Sequence, residues 1–264
     1  MCKGQLHETL SGMTIRISRK GVKQNLRIFL FFIGNAAAWA TMSLMRRRDF
    51  GRTGVVWTVA TMTRGAGKLD LASTERERVL KAANRYLSEQ PVTVTASSSP
   101  RSAGGRHDFF SEADYWWPDP QNPGGPYIQR DGMSNPDNFV EHRRAMVRLS
   151  WIVPALAAAY KITGKQEYSR HASKHLRAWF IDGTTRMSPN LQYAQAIQGR
   201  VTGRGTGIID TLHLMEVARA AGQLDLRASD LKAVKDWFVS YLGWMNTHPY
   251  GIAERDARNN HGTC

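Results

Sequence analysis

Cysteine is almost missing from these 264 residues: Cys2 and Cys264 stand at opposite ends. Neither a disulfide framework nor a cysteine-based metal site can be built from them. Long apolar runs are missing too. The N-terminal stretches, residues 28–33 and 36–40, are broken by Gly34 and Asn35, and they are too short for a confident bilayer span. No stretch alternates convincingly as a strand does, which argues against a sheet-based architecture. Acidic residues are scarce, 22 against 36 Lys and Arg, for a net charge of +14. Residues 1–65 hold eleven Lys/Arg against Glu8 and Asp49, so +9 of that charge sits there and +5 on the remainder. The remainder is only mildly basic and carries no nucleic-acid-binding signature. It suits an acidic substrate at least as well as a phosphate backbone, and no nucleic-acid partner is expected.

What is present divides the chain in two. Basic residues from Arg16 to Arg27 precede the broken apolar stretch, which closes on Ala38-Trp39-Ala40, the form of a secretory signal. A second candidate follows, Arg46-Arg47-Arg48-Asp49-Phe50 before the short apolar run 54–62, which resembles a twin-arginine signal beginning at Met45. Residues 1–65 are therefore expected to be an export signal or upstream extension of a periplasmic or secreted protein, with no stable membrane insertion after export. The chain holds 42% hydrophobic residues and eight Trp. That is enough to fill a core, and residues 66–264 are expected to form one domain.

That domain reads as all-α. Thr74-Glu75-Arg76-Glu77 has the form of a capping box opening a first helix. Phe139, Met146, Leu149, Val153, Leu156 and Tyr160 recur at helical steps before a stop at Gly164; Tyr168, Ala172, Leu176 and Trp179 form a second stripe. Ile208, Ile209, Leu212, Met215 and Ala218 suggest a third, ending at Gly222, and Ser229 a cap for a fourth that carries Val234, Trp237 and Tyr241. Helices of this kind joined by glycine turns imply stacked pairs, as a bundle or as a toroid of α/α hairpins.

Between the first two helices the proline-rich run Asp114-Tyr115-Trp116-Trp117-Pro118-Asp119-Pro120 forbids a regular helix or a central strand and displays aromatics. Tyr115, Trp116 and Trp117 beside carboxylates and amides are suited to holding sugar rings. Gln192 and Gln195, read as one helical turn apart, with Tyr193 beside them, could offer neutral donors to one cleft. Gly203-Arg204-Gly205-Thr206-Gly207 lacks the Walker lysine and a preceding strand. It reads as a tight turn from which Arg204 and a helix N-terminus could attract a carboxylate. His171 and His175 are four apart, but Ala172 stands where a zincin carries Glu. They read as surface or packing histidines, and no metal or cofactor is expected. Near the C-terminus, Glu254-Arg255-Asp256-Ala257-Arg258-Asn259-Asn260-His261 concentrates polar groups with no apolar residue larger than alanine. A carboxamide can hold a carboxylate as an electron sink, and a neutral imidazole can take a proton.

Together these motifs resemble the alginate lyase domain family of α/α-toroid polysaccharide lyases. The matching text is His107-Asp108-Phe109-Phe110-Ser111-Glu112 through Pro120, Gly132 to Phe139, Asn190 to Ile197, Gly203 to Thr211, and Arg258-Asn259-Asn260-His261-Gly262. The resemblance implies an incomplete toroid of stacked helical hairpins with a long aromatic loop. It also implies cleavage of an acidic glycan such as alginate by β-elimination without a metal. By resemblance, Asn260 helps neutralise the C5 carboxylate and His261 assists removal of the C5 proton. Tyr115, Trp116, Trp117, Gln192, Tyr193, Gln195 and Arg204 are the cleft candidates. The family's Tyr acid and its neighbouring Arg lie further along the domain, so the chain is expected to be the N-terminal part of one. Two rivals stand beside this: a glycan-binding fragment without chemistry, and a glycoside hydrolase using carboxylates such as Asp114, Asp119 and Glu254.

Overall fold

A computed structural model describes residues 9–10, 13–14, 70–259 and 261. The chain divides into two compact units, Met1–Arg64 and Gly65–Cys264. In the first, β1 (Thr9–Leu10) pairs antiparallel with β2 (Met13–Thr14). The expected export segment and its arginine runs lie outside the described residues.

The second unit is built on helices. They are α1 (Leu71–Tyr86), α2 (Glu141–Thr163), α3 (Gln166–Phe180), α4 (Leu214–Ala221), α5 (Ala228–Thr247) and α6 (Pro249–Asp256). α2 is central, packing against α1, α3 and α4. Its Met146, Leu149, Val153 and Leu156 are buried, as the three- and four-residue spacing requires. The helix is long and apolar enough to cross a membrane, but half of that window is buried in the fold. It is a core helix. Gly164 ends it at φ 68°, and its N–H donates to the Tyr160 carbonyl. That left-handed conformation is costly for a residue with a Cβ. The hairpin turns there into α3, whose Tyr168, Ala172, Leu176 and Trp179 are buried against the same core. Trp237 of α5 closes the far side, donating its indole N–H to the Met187 carbonyl at 2.7 Å.

Four local readings change. α1 begins at Leu71, and Asp70 rather than Thr74 caps it: its carboxylate accepts from the Ser73 N–H and its carbonyl from the Thr74 N–H. The third helical segment is two pieces, a 3₁₀ stretch over Gly205–Thr211 and then α4. In α4 the buried residues are Leu214, Val217, Ala220 and Ala221, while Met215 is 61% exposed. Ser229 lies inside α5, whose cap position is Arg227. Short strands also exist. β3 (Phe110–Glu112) pairs in parallel with β6 (Tyr193–Ala196), and β4 (Trp116–Trp117) pairs antiparallel with β5 (Ile128–Gln129). They are too brief to alternate legibly, and β3 is buried throughout, which removes the alternation altogether.

Candidate active site

The parallel pair β3–β6 is the floor on which the polar groups assemble. Gln195 belongs to β6, so it and Gln192 do not form one helical turn. Gln195 takes φ 57°, a left-handed conformation unusual for a residue with a side chain. Its peptide N–H donates to Ser111 Oγ at 2.8 Å, and Ser111 Oγ–H donates to Asp210. The Gln195 carboxamide N–H₂ also reaches Asp210, at 3.2 Å from Oδ1. Its carboxamide oxygen accepts from Arg204, whose Nε donates to the Gln195 carbonyl at 3.1 Å. The strained backbone at Gln195 is thus fixed from both sides, by Ser111 and by Arg204.

Asp210 is the buried anion of this network. Burial pushes its carboxyl above the usual range, while Arg143 and the hydrogen bonds from Ser111 and Gln195 pull it back. Arg143 reaches it from α2 as an ion pair, Nε 3.2 Å from Oδ1, and donates an Nη1–H to Asp114 at 2.9 Å. Burial opposes charge on Arg143, but the two carboxylates hold its pKa above the ordinary value. Burial lowers the Arg204 guanidinium from its ordinary value, against the pull of Asp210, Asp114 and Glu254.

Glycine brings these parts into register. A Cβ on Gly203 would overlap the Gln192 carbonyl oxygen, and one on Gly207 would stand 2.5 Å from the Ala194 Cβ. Gly203-Arg204-Gly205-Thr206-Gly207 is therefore a strap laid flat on β6. The helix it enters is the 3₁₀ stretch, which offers a weaker N-terminal dipole than the α-helix anticipated. α6 packs on the other side of that stretch. Glu254, in its last turn, accepts from Asn259 Nδ2 at 3.0 Å and meets His261 Nδ1 at 2.7 Å. The His261 N–H donates to Asn259 Oδ1 at 2.9 Å. Asn260 lies outside the described residues. With Nδ1–H donating to Glu254, the neutral ring keeps its lone pair on Nε2.

Of the residues singled out in the sequence, Gln195 and Arg204 are brought into direct contact, with His261 on the neighbouring helix end. Gln192 and Tyr193 are half-buried beside them; the Gln192 N–H donates to Asn190 Oδ1, and the Tyr193 ring lies against Gly104. Tyr115 is 42% exposed, whereas Trp116 and Trp117 are half-buried with Arg200 and Arg130 over their rings. Asp114 is ion-paired with Arg143, and Glu254 is engaged by His261 and Asn259. His171 and His175 are buried between elements, so the packing alternative holds and the surface one does not. No cluster of three His, Cys, Asp or Glu is placed to hold a metal among the described residues. The residues missed are Ser111, Arg143 and Asp210. Their one sequence signal is polarity inside apolar text, as in Ile208-Ile209-Asp210-Thr211. A cavity of about 600 Å³ lined by His107, Arg186 and Trp237 contains none of the network.

This geometry coincides with a family. The alginate lyase family model matches residues 93–264, and the chain belongs to that family. An alginate lyase from Bacteroides ovatus, known from its crystal structure, is similar to it at 34% sequence identity and a TM-score of 0.66. The match covers 72% of this chain and 52% of that one, so the chain spans about half the length of this neighbour. No curated protein matches. The all-α domain with its stacked hairpins is of the (α/α) toroid type.

Proposed function

We propose that the protein is a polysaccharide lyase that cleaves a uronate-containing glycan such as alginate by β-elimination. The reading rests on family membership and on one observation above the rest. An imidazole is oriented by a half-buried carboxylate (Glu254 to His261, 2.7 Å), and Glu254 stands on a helix that packs against the 3₁₀ segment following Arg204 and carrying Asp210.

In this scheme His261 Nε2 takes the proton from C5. The electron pair left behind forms the C4–C5 double bond, and the C4–O bond breaks with its oxygen taking up a proton. Carbanion character at C5 requires the attached carboxylate to be neutralised. Asn260 by its carboxamide, and the half-buried Arg204 guanidinium, are assigned that part. These donors supply the positive end themselves, so the elimination is proposed to run without a metal. Tyr115, Trp116, Trp117, Gln192, Tyr193 and Gln195 are assigned to the binding wall. Export to the periplasm or the medium fits a polymeric substrate.

The test is the ultraviolet absorbance of unsaturated uronate on incubation with alginate. Absorbance is expected with the native chain and is expected to be unchanged by a chelator. His261→Ala is expected to lower the rate about a hundredfold or more, the range for loss of a positioned base. Full activity in His261→Ala would remove the imidazole from the mechanism. Products heavier by one water, without the double bond, would replace elimination with hydrolysis.

A further inference from the structure

Two arginines of the fold use the same edge of the guanidinium on different partners. Arg101 donates from Nε and Nη2 to the two oxygens of the Glu112 carboxylate, at 2.7 and 2.6 Å. Arg204 also donates from Nε and Nη2, at 3.1 and 3.2 Å, but its acceptors are the backbone carbonyl and the carboxamide oxygen of Gln195. That edge is the planar fork that matches a carboxylate. One neutral residue therefore stands where Arg101 has its counter-ion, offering two oxygens and no charge. Asp210, Asp114 and Glu254 act on Arg204 through their charge, and among the described residues none of them hydrogen-bonds to it.

The neighbours allow this clamp only one arrangement. Asp210, ion-paired with Arg143, accepts and a guanidinium only donates, so the Gln195 carboxamide turns its N–H₂ to the first and its oxygen to the second. Ser111 fixes the backbone end: its Oγ accepts the Gln195 N–H at 2.8 Å and its hydroxyl donates to Asp210. Under these contacts Gln195 holds φ 57°, a conformation that persists for such a residue only when its surroundings impose it. It is 3% exposed, with its N–H, its carbonyl and both ends of its carboxamide engaged. It has no exposed group to offer a sugar hydroxyl. The open end belongs to Arg204, whose Nη1 makes no hydrogen bond among the described residues and is not sealed in the interior.

We propose that Gln195 is the positioning residue of Arg204, a neutral clamp locked by Ser111 and Asp210 that fixes the guanidinium plane and leaves its charge to a substrate carboxylate. An acid in the same place would neutralise the cation, and an unclamped arginine would lose rotamer freedom on meeting the sugar acid. Gln195 thus serves the binding wall by acting through Arg204, not by touching the glycan. The inference rests on the uronate reading of the site and adds to it what keeps an arginine there oriented and uncompensated.

The experiment is calorimetric titration with an alginate oligosaccharide, and with the same oligosaccharide after carboxyl reduction, of the native chain, Gln195→Asn, Arg204→Gln and the double variant. Asn accepts the left-handed backbone, but its carboxamide is one methylene too short to join Asp210 to Arg204. Gln195→Asn is expected to keep a thermal midpoint close to that of the native chain. It is expected to bind the acidic oligosaccharide about tenfold more weakly, the scale of a lost hydrogen bond to a charged group, with the neutral one unaffected. That loss is expected to vanish in the Arg204→Gln background, because Gln195 acts only through Arg204. Additive losses, or an equal loss for the neutral sugar, overturn the proposal, since packing or direct contact then explains the residue. So does full acidic affinity in either single variant; where only Gln195→Asn retains it, the carboxylate role of Arg204 stands alone. Should the Asn variant melt early, Gln195→Gly, which suits the backbone and lacks the carboxamide, is read in its place by the same criteria. Unsaturated product is scored separately. Its absence from the native chain sinks the elimination without touching the clamp, whereas a native chain that binds no acidic oligosaccharide overturns both.

Discussion

Asp210 illustrates how much of the site hangs on one side chain. It is 6% exposed and simultaneously faces Arg143, Ser111 and Gln195. Removing it leaves Arg143 with the partly solvated Asp114 carboxylate and the Glu112 carbonyl. Breaking a buried ion pair from one side costs about 3–5 kcal/mol, because the remaining charge stays buried. Asp210→Ala is therefore expected to lower unfolding free energy by about 3 kcal/mol, read as a fall in urea midpoint at constant slope. This residue was not legible in the sequence for a physical reason. Its hydrogen-bond partner Ser111 is 99 residues away and its partner Gln195 is 15 away, and neither separation is a period that a helix or strand imposes. Arg204, by contrast, stood out because it is the one large side chain in a glycine run.

At the scale of the element, the glycine strap explains itself by contact. Gly203→Ala would drive a methyl into the Gln192 carbonyl oxygen, so either the strap or β6 must move. A loss of about 2 kcal/mol or more is expected, with reduced ligand affinity, since Gln195 and Arg204 lie on the two surfaces being separated. Gly222 is the control. Its φ is −70° and a Cβ there meets nothing nearer than 3.6 Å. Gly222→Ala is expected to be neutral or to stabilise by up to about 1 kcal/mol in thermal melts. The long helices α2 and α3 were readable because their buried faces follow a single period from end to end. The third segment misled because it starts as a 3₁₀ stretch. Three residues per turn instead of 3.6 resets the phase, and the buried face of α4 lands one position away from the stripe extrapolated through it. The first three residues of the last polar run, Glu254 to Asp256, close α6. The aromatic loop was legible as irregular and aromatic; the arginines that cover its indoles come from outside the run and were not.

At the scale of the whole molecule, α1, α2 and α3 meet over a pair of buried histidines. The rings of His171 and His175 lie 5.2 Å apart on α3. His171 Nε2 contacts the Glu89 carbonyl at 2.9 Å, while Arg148 of α2 pairs with the Glu89 carboxylate. His175 is 1% exposed, and its Nε2 has no partner among the described residues. Burial, reinforced by His171, Arg148 and Lys174, pushes its pKa down to about 4 from an ordinary 6.5. The unfolded chain therefore binds a proton that the fold refuses between those values. Stability present above pH 6.5 is lost as pH falls, by about 3 kcal/mol once pH reaches about 4. Urea unfolding at pH 7 and at pH 4.5 should show this loss, and His175→Leu should flatten it. The parallel pair that floors the site carries a different liability. Ser111 and Gln195 are joined by a hydrogen bond across 84 residues that include all of α2 and α3. Contacts spanning so much chain form only after the intervening hairpin has closed the distance. The floor of the candidate site is thus expected to be laid last during refolding, and pulse-labelled amides of residues 110–112 and 193–196 should gain protection after those of the two long helices.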